Sequence, residues 1–330
     1  MRRLTSLYSP IIRRSRPLWG AVYYGSNFRG SFAALQAALG PQVRRVLEGL
    51  LERHDPDLVL SVHPLVNHVA ARAIRRSGRR RGLMVVVTDL AECHRGWSYP
   101  KADLTVVPSR RAYAECRRHR VPAERLRVLG LPVSLRFRPA APGEQAALRR
   151  RYRLEEERFT VLVAGGGEGV GGLIARIRAL CLEPHDWQVI AVCGRNERLR
   201  RRLQRVHLNT PTALLGFVSD MPELMRASDL VVTKAGPGAI AEALASDLPL
   251  LITSHLPGQE TPNISFVTSA GVGLYVPRAD ALLESVTRLA ADGGREAREM
   301  AARAAEVSRP YAALDIAREA FALAEVYRSR

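Results

Sequence analysis

Long apolar stretches are missing from this chain. None of its 330 residues falls in a run approaching the roughly 18 uncharged apolar residues that a membrane-spanning helix needs. The longest runs, such as Leu83 to Val87 and Pro249 to Ile252, have the length of buried strands. Cysteine is scarce as well. Cys93, Cys116, Cys181 and Cys193 follow no metal-type spacing, which excludes a disulfide scaffold or zinc module and suits small buried side chains in a reducing cytoplasm. Aromatic residues make up 6% and none interleave with the arginine clusters, so a stacking platform for single-stranded nucleic acid is not expected, nor a nucleic-acid partner. The N-terminus is basic but carries no continuous apolar region before Arg13 and Arg14, which argues against a secretory signal. Lysine is nearly absent, Lys101 and Lys234 being the only two.

What is present is arginine, and with it a formal net charge of +18. A GC-rich genome would favour arginine codons whatever the function, but the charge itself still attracts phosphates, whether of a nucleotide or of an anionic membrane surface. Tyr8, Ile11, Ile12, Trp19, Tyr23 and Tyr24 lie among Arg13, Arg14 and Arg16. That mixture fits an amphipathic segment on an anionic leaflet, and equally residues that pack on the domain behind them.

Strand-like apolar runs alternate with helical patterns almost from end to end, the signature of a parallel α/β architecture. Strands are expected at Asp57–Val62, Leu83–Val87, Leu104–Val107 and Leu126–Leu129, after a long helix from about Ser31 to Arg53. Proline and glycine concentrate in Phe137 to Glu144, which marks a domain boundary. A second series follows at Phe159–Ala164, Gln188–Val192, Ala213–Leu215, Leu230–Thr233, Pro249–Ile252 and Gly273–Val276. The expected division is 1–138, 139–308 and a C-terminal helix in 309–330. A doubly wound domain normally opens with a strand, a glycine-rich turn and a helix; residues 1–30 contain no such unit, so the first domain reads as incomplete at its front.

Three turns carry the chemistry. In Thr233-Lys-Ala-Gly-Pro-Gly-Ala-Ile-Ala-Glu-Ala-Leu244 a buried strand runs into a glycine-proline turn and then a helix. This aims free backbone N–H groups and a positive helix end at the space above the strand, which suits a diphosphate. Glu242, about one turn further on, is placed to accept hydrogen bonds from ribose hydroxyls; a plain tight connection with a surface glutamate fits the same residues. Val161 to Gly172 holds a second glycine-rich turn, and Pro257-Gly-Gln-Glu-Thr-Pro-Asn263 offers amides and carboxylates suited to sugar hydroxyls. All three follow carboxyl ends of strands, where open α/β sheets bind ligands.

These residues carry a family resemblance. The chain resembles the monogalactosyldiacylglycerol synthases and processive diacylglycerol glucosyltransferases, glycosyltransferases of family 28. The similarity runs in order through Pro56–Leu65, Val87–Trp97, Val107–Ser109, Gly130–Pro132, Gly165–Gly169, Cys193–Asn196, Gly216–Phe217, Lys234–Leu244 and Gly258–Asn263. It implies a GT-B fold, two Rossmann-like doubly wound domains facing a cleft, with the first incomplete. It further implies that Gly236, Pro237, Gly238 and Ala239 bind the donor diphosphate and Glu242 the ribose. By the same resemblance Gln259 and Glu260 face the transferred sugar, Gly165, Gly166 and Gly167 line the cleft, and the backbone near Phe217 contacts uracil. Arg195, Asn196 and Asn263 complete the implied donor set. His94 and Trp97 fall in the acceptor-side loop. The family's opening glycine-rich turn and its histidine base have no counterpart, and its arginine after the Gly-Leu-Pro run is replaced by Ser134, with Arg136 two places on.

The implied reaction moves a hexose, galactose or glucose, from a UDP-sugar to diacylglycerol with inversion, without metal or cofactor. His63, Asp89 and His94 are the candidate bases, each with a structural role as its alternative. A polyprenyl-lipid or other glycan acceptor is a second reading, a nucleotide-sugar-binding pseudoenzyme a third, and a nicotinamide dehydrogenase a distant fourth. The expected location is the cytoplasm, peripherally on the inner face of a membrane.

Overall fold

The computed structural model describes residues 16–165 and 172–328. They form two compact units, each with its own parallel sheet and core.

The first unit takes in the chain to Pro132 together with Leu256–Pro262 and Tyr311 onward. It contains helices α1 (Arg16–Ser26) and α2 (Arg29–His54), strand β1 (Leu58–Ser61), helix α3 (Asn67–Arg76), strands β2 (Gly82–Val86) and β3 (Leu104–Val107), helix α4 (Arg110–Arg118) and strand β4 (Leu126–Val128). The four strands lie in the order β1-β2-β3-β4, all parallel. β2 and β3 are buried at every residue, which is why they read as unbroken apolar runs rather than alternating ones. The period of two still divides their contacts. Leu83, Val85 and Val87 pack with Ala70, Ala71, Trp97 and Cys116 on one face, while Met84 and Val86 meet Ile316 on the other. Helix α4 starts at Ser109, whose hydroxyl accepts the Ala112 N–H at 3.1 Å and donates to the Leu90 carbonyl at 2.6 Å. That pair of bonds also anchors the loop between β2 and β3, which bears Asp89, His94 and Trp97.

The second unit comprises Val133–His255 and Asn263–Pro310. Its elements are α5 (Glu144–Arg151), β5 (Phe159–Ala164), α6 (Leu173–Cys181), β6 (Trp187–Val192), α7 (Glu197–Gln204), β7 (Thr212–Leu215), α8 (Met221–Arg226), β8 (Leu230–Lys234), α9 (Pro237–Ala245), β9 (Leu250–Ser254), α10 (Thr261–Ser269, begun in the first unit), β10 (Gly273–Tyr275), α11 (Ala279–Ala290) and α12 (Arg295–Val307). The parallel sheet has the order β10-β9-β8-β5-β6-β7. Numbered from β5, this is the doubly wound order 3-2-1-4-5-6, which reverses direction between β5 and β8. Each expected strand is present, with ends moved by a residue or two. Leucine and isoleucine from α6 and α11, with Ala297 and Met300 of α12, fill one face: Ile177, Leu180, Leu282 and Leu289 are fully buried against Val161, Val189 and Val232. Helix α13 (Ala312–Arg328) belongs to the first unit. Among the described residues no helix is long and apolar enough to cross a membrane.

Candidate functional site

In the second unit the start of the glycine-rich turn, at Gly165, meets the Lys234 turn at the reversal between β5 and β8. Gly165, Arg176, Thr233, Lys234 and Ser254 line one recess at the carboxyl ends of β5, β8 and β9. Neighbouring strands there send their helices to opposite faces of the sheet, so a crevice opens above the strand ends. Helix α9 begins in it with Pro237 at its first position and Gly236 as N-cap, and no side chain caps its N–H groups. A side chain built at Gly238 would meet nothing within 4 Å among the described residues, so none of these closes off the helix start. Asn263, 2% exposed, does not face that space. Its amide donates to the Ala235 carbonyl at 2.9 Å and fixes the turn from behind.

Glu242 is half-buried on α9, and no described residue bonds its carboxylate. Desolvation by burial raises its pKa from 4.5 to about 7. A ligand hydroxyl at this position would supply the missing donors. On the neighbouring strands, the Arg195 guanidinium lies 4.5 Å from the ring centroid of Phe217, which is 59% exposed. The two residues come from the turns after β6 and β7 and together present a flat surface suited to a base. Asn196 is spent largely on structure, its Oδ1 accepting the Leu199 N–H at 3.0 Å as the cap of α7. Gly166 and Gly167 lie outside the described residues.

Arg176 escaped the reading of the sequence. It stands on α6, four residues past Gly172, and its Nη2 donates to the Thr253 carbonyl at 2.7 Å, so a guanidinium spans the strand ends beside Lys234. The available signal was a cation one helical turn into the helix that follows a glycine-rich turn.

The first unit holds a second cluster, around Asp89. Its carboxylate is 5% exposed and accepts from Trp97 Nε1 at 2.8 Å, from the His94 N–H at 3.4 Å and from Gln259 Nε2 at 3.4 Å. Burial raises its pKa, and these three donors pull it back only in part. His63, just past β1, accepts the Leu65 N–H on Nδ1 at 3.3 Å; desolvation lowers its pKa against an opposing pull from Asp89. His94 is engaged at both nitrogens. Nδ1 accepts the Gly96 N–H at 3.0 Å, which puts the proton on Nε2, 3.1 Å from Ser26 Oγ. Burial lowers its pKa to about 4. Glu260, 3% exposed, accepts the Leu256 N–H at 2.8 Å and closes its own turn, while Gln259 Oε1 is buried with no hydrogen-bond partner among the described residues. The fold thus brings His63, Asp89, His94, Trp97 and Gln259 together from three separate turns. Arg136 is exposed and falls in the second unit.

The chain also contains one Asp-x-Asp sequence, Asp55-Pro56-Asp57, a pattern able to hold a metal. It lies before β1, at the opposite end of that strand from His63. Arg79 pairs with both carboxylates and Arg81 with Asp55 at 2.8 Å, which holds the Asp55 carboxyl below its usual pKa.

The doubly wound second unit, beside a first unit with its own parallel sheet, gives an α/β protein whose fold is GT-B. Staphylococcus aureus MnaA bound to UDP matches with a TM-score of 0.63 at 17% identity, over 85% of this chain and 80% of that one. Acinetobacter baumannii MurG matches with a TM-score of 0.60 at 16% identity, over 87% and 79%. Residues 2–133 match the family model for monogalactosyldiacylglycerol (MGDG) synthase, and residues 160–314 that for the glycosyltransferase family 28 C-terminal domain. A probable monogalactosyldiacylglycerol synthase of Glycine max is 31% identical over 99% of this chain, which spans 63% of that protein's length. Probable monogalactosyldiacylglycerol synthase 2 of Oryza sativa subsp. japonica is 31% identical over 94% of this chain, which spans 68% of it. The chain belongs to the monogalactosyldiacylglycerol synthase family.

Proposed function

We propose that this protein transfers a hexose from a UDP-sugar to diacylglycerol, inverting the anomeric carbon and forming a membrane glycolipid. The relatives' names favour galactose as that hexose. The observation that carries the reading is the start of α9 at the β5–β8 reversal, open and uncapped, with the unpaired Glu242 on the same helix. Backbone N–H groups there would hold the diphosphate and stabilise it as it leaves. Arg195 and Phe217 would take the uracil. With both nitrogens of His94 engaged, Asp89 and His63 are the better placed bases for the lipid hydroxyl. In this scheme the helix start, rather than a metal, stabilises the leaving diphosphate. A lipid acceptor and the net charge of +18 support a peripheral position on an anionic membrane surface.

The test is transfer of radiolabel from UDP-galactose and UDP-glucose to diacylglycerol in anionic liposomes, with and without EDTA. Labelled glycolipid in both conditions supports the reading, and Asp89→Asn should then lower turnover by about 10²- to 10⁴-fold, the usual worth of a general base. UDP binding without glycolipid would sink the transferase reading in favour of a nucleotide-sugar-binding protein.

A further inference from the structure

Strands β8 and β9 keep one register until their carboxyl ends, where it shifts. Thr233 faces Ile252, but Lys234 faces Ser254, which leaves Thr253 as the extra residue of β9. The two displaced residues hold different things. The Ser254 carbonyl accepts the Ala235 N–H at 2.8 Å and fixes the turn that leads into α9. The Thr253 carbonyl accepts from Arg176 Nη2 at 2.7 Å, while the Thr253 hydroxyl donates to the Thr233 carbonyl at 3.1 Å. Arg176 is thereby registered to the start of α9 through two adjacent residues of one strand end.

The arginine reaches this place by the direction that helical side chains take. It lies in the first turn of α6, and long side chains on a helix run back toward its N-terminus, here toward the strand ends. A guanidinium carries five N–H donors in one plane, so the bond to a single carbonyl orients the whole fork. Lys234 lines the same recess, and two side-chain cations stand where α9 begins. Arginine forks match phosphate oxygens in geometry as well as in charge.

We propose that Arg176 is a ligand of the donor's diphosphate, and that it makes the site select a nucleoside diphosphate over the monophosphate and the nucleoside. The inference rests on the UDP-sugar reading of this site and adds to it a residue outside the three turns. In the transfer, the bond between the anomeric carbon and the β-phosphate oxygen breaks and its electron pair stays on that oxygen. The acceptor oxygen bonds to the carbon, and its proton passes to the base. The diphosphate thus gains one negative charge, which a guanidinium already held in place meets without rearrangement.

The experiment is calorimetric titration of the full chain with UDP, UMP and uridine, for the wild type, Arg176→Gln and Arg176→Lys. Thermal unfolding of each serves as the control for folding. Wild-type affinity should fall from UDP to UMP to uridine. Arg176→Gln should weaken UDP binding by about 10- to 100-fold, the worth of a hydrogen bond to a charged group, with UMP weakened less and uridine unchanged. Its remaining UDP affinity should also depend less on salt than that of the wild type. Should Arg176→Gln not fold, Arg176→Lys decides, with an intermediate loss for UDP and none for uridine. An equal loss for all three ligands would make Arg176 a strut for the Thr253 turn, and an unaltered UDP affinity would make it a bystander; either overturns the inference. The two readings fail separately. A wild type that binds no UDP strikes the donor site as a whole, while UDP affinity unmoved by the substitutions strikes Arg176 alone.

Discussion

Glu242 is a carboxylate that the fold holds near neutrality. Burial alone raises its pKa to about 7, from 4.5. Because the folded-state value lies above the unfolded one, the folded protein binds this proton more tightly. Its contribution to stability is therefore greatest below about pH 4.5, falls between there and about pH 7, and levels off above. Ligand binding should run the other way. If ribose hydroxyls donate to the ionised carboxylate, affinity for UDP rises as the pH passes through about 7, by at most about tenfold per pH unit on the acid side. Glu242→Gln should flatten that profile and raise thermal stability at pH 8. Calorimetric titration of UDP from pH 5.5 to 8.5 checks both halves. An unchanged pH profile in the variant would show that Glu242 does not meet the nucleotide. Other residues were hidden from the sequence for a plain reason. Asn263 and His94 carry side chains proper to a ligand site, but Asn263 is occupied by the Ala235 carbonyl and His94 by the Gly96 N–H and the Ser26 hydroxyl, and only the folded chain shows it.

Among the elements, those buried on both faces were the easiest to foresee. β2, β3, β5 and β8 are apolar at nearly every position because helices cover each side. Helix faces are harder, because a 3.6-residue period shows which side is apolar and not what covers it. α1 illustrates this: Trp19 and Tyr23 were read both as membrane residues and as packing residues, and Tyr23 packs. Its ring sits where a Cβ on Gly258 would approach Cδ1 at 2.6 Å, and Gly258 itself has φ of +83°. Gly258→Ala thus meets two costs. The positive φ strains any L-residue by about 1–3 kcal/mol, and the methyl must displace Tyr23, loosening α1 from the turn. Tyr23→Ala relieves the second cost only. In a double-mutant cycle the two changes should cost less together than in sum, by roughly 1 kcal/mol, since they share the contact. Strict additivity in chemical denaturation would mean that α1 does not rest on this turn.

At the scale of the whole molecule, sequence order and structural units part company. The chain leaves the first unit after Pro132, returns for Leu256–Pro262, leaves again and comes back at Tyr311. No local pattern announces such returns, because a helix in 309–330 with one apolar side fits either core. Helix α13 in fact covers the face of β2 and β3 that α3 does not. Ile316, 6% exposed, packs with Met84, Val86, Leu104 and Val106, and Tyr327 donates to Asp103 Oδ1 at 2.7 Å. The other oxygen of Asp103 accepts the Leu83 N–H at 2.8 Å, so one carboxylate joins the start of β2 to the end of the chain. A chain stopped at Pro310 would leave the Met84 and Val86 side of the sheet open to water, and should bind a hydrophobic dye and aggregate on warming. Ile316→Ala removes less and should cost about 2 to 5 kcal/mol, the range for a buried isoleucine. UDP binding, assigned to the second unit, should survive the point substitution, because Val161, Ile177 and Leu282 form a core of their own. Stability unaltered by Ile316→Ala would deny α13 its place in the first core. A parallel loss of UDP affinity would instead show the two cores to be energetically one, a coupling that their separate hydrophobic clusters argue against.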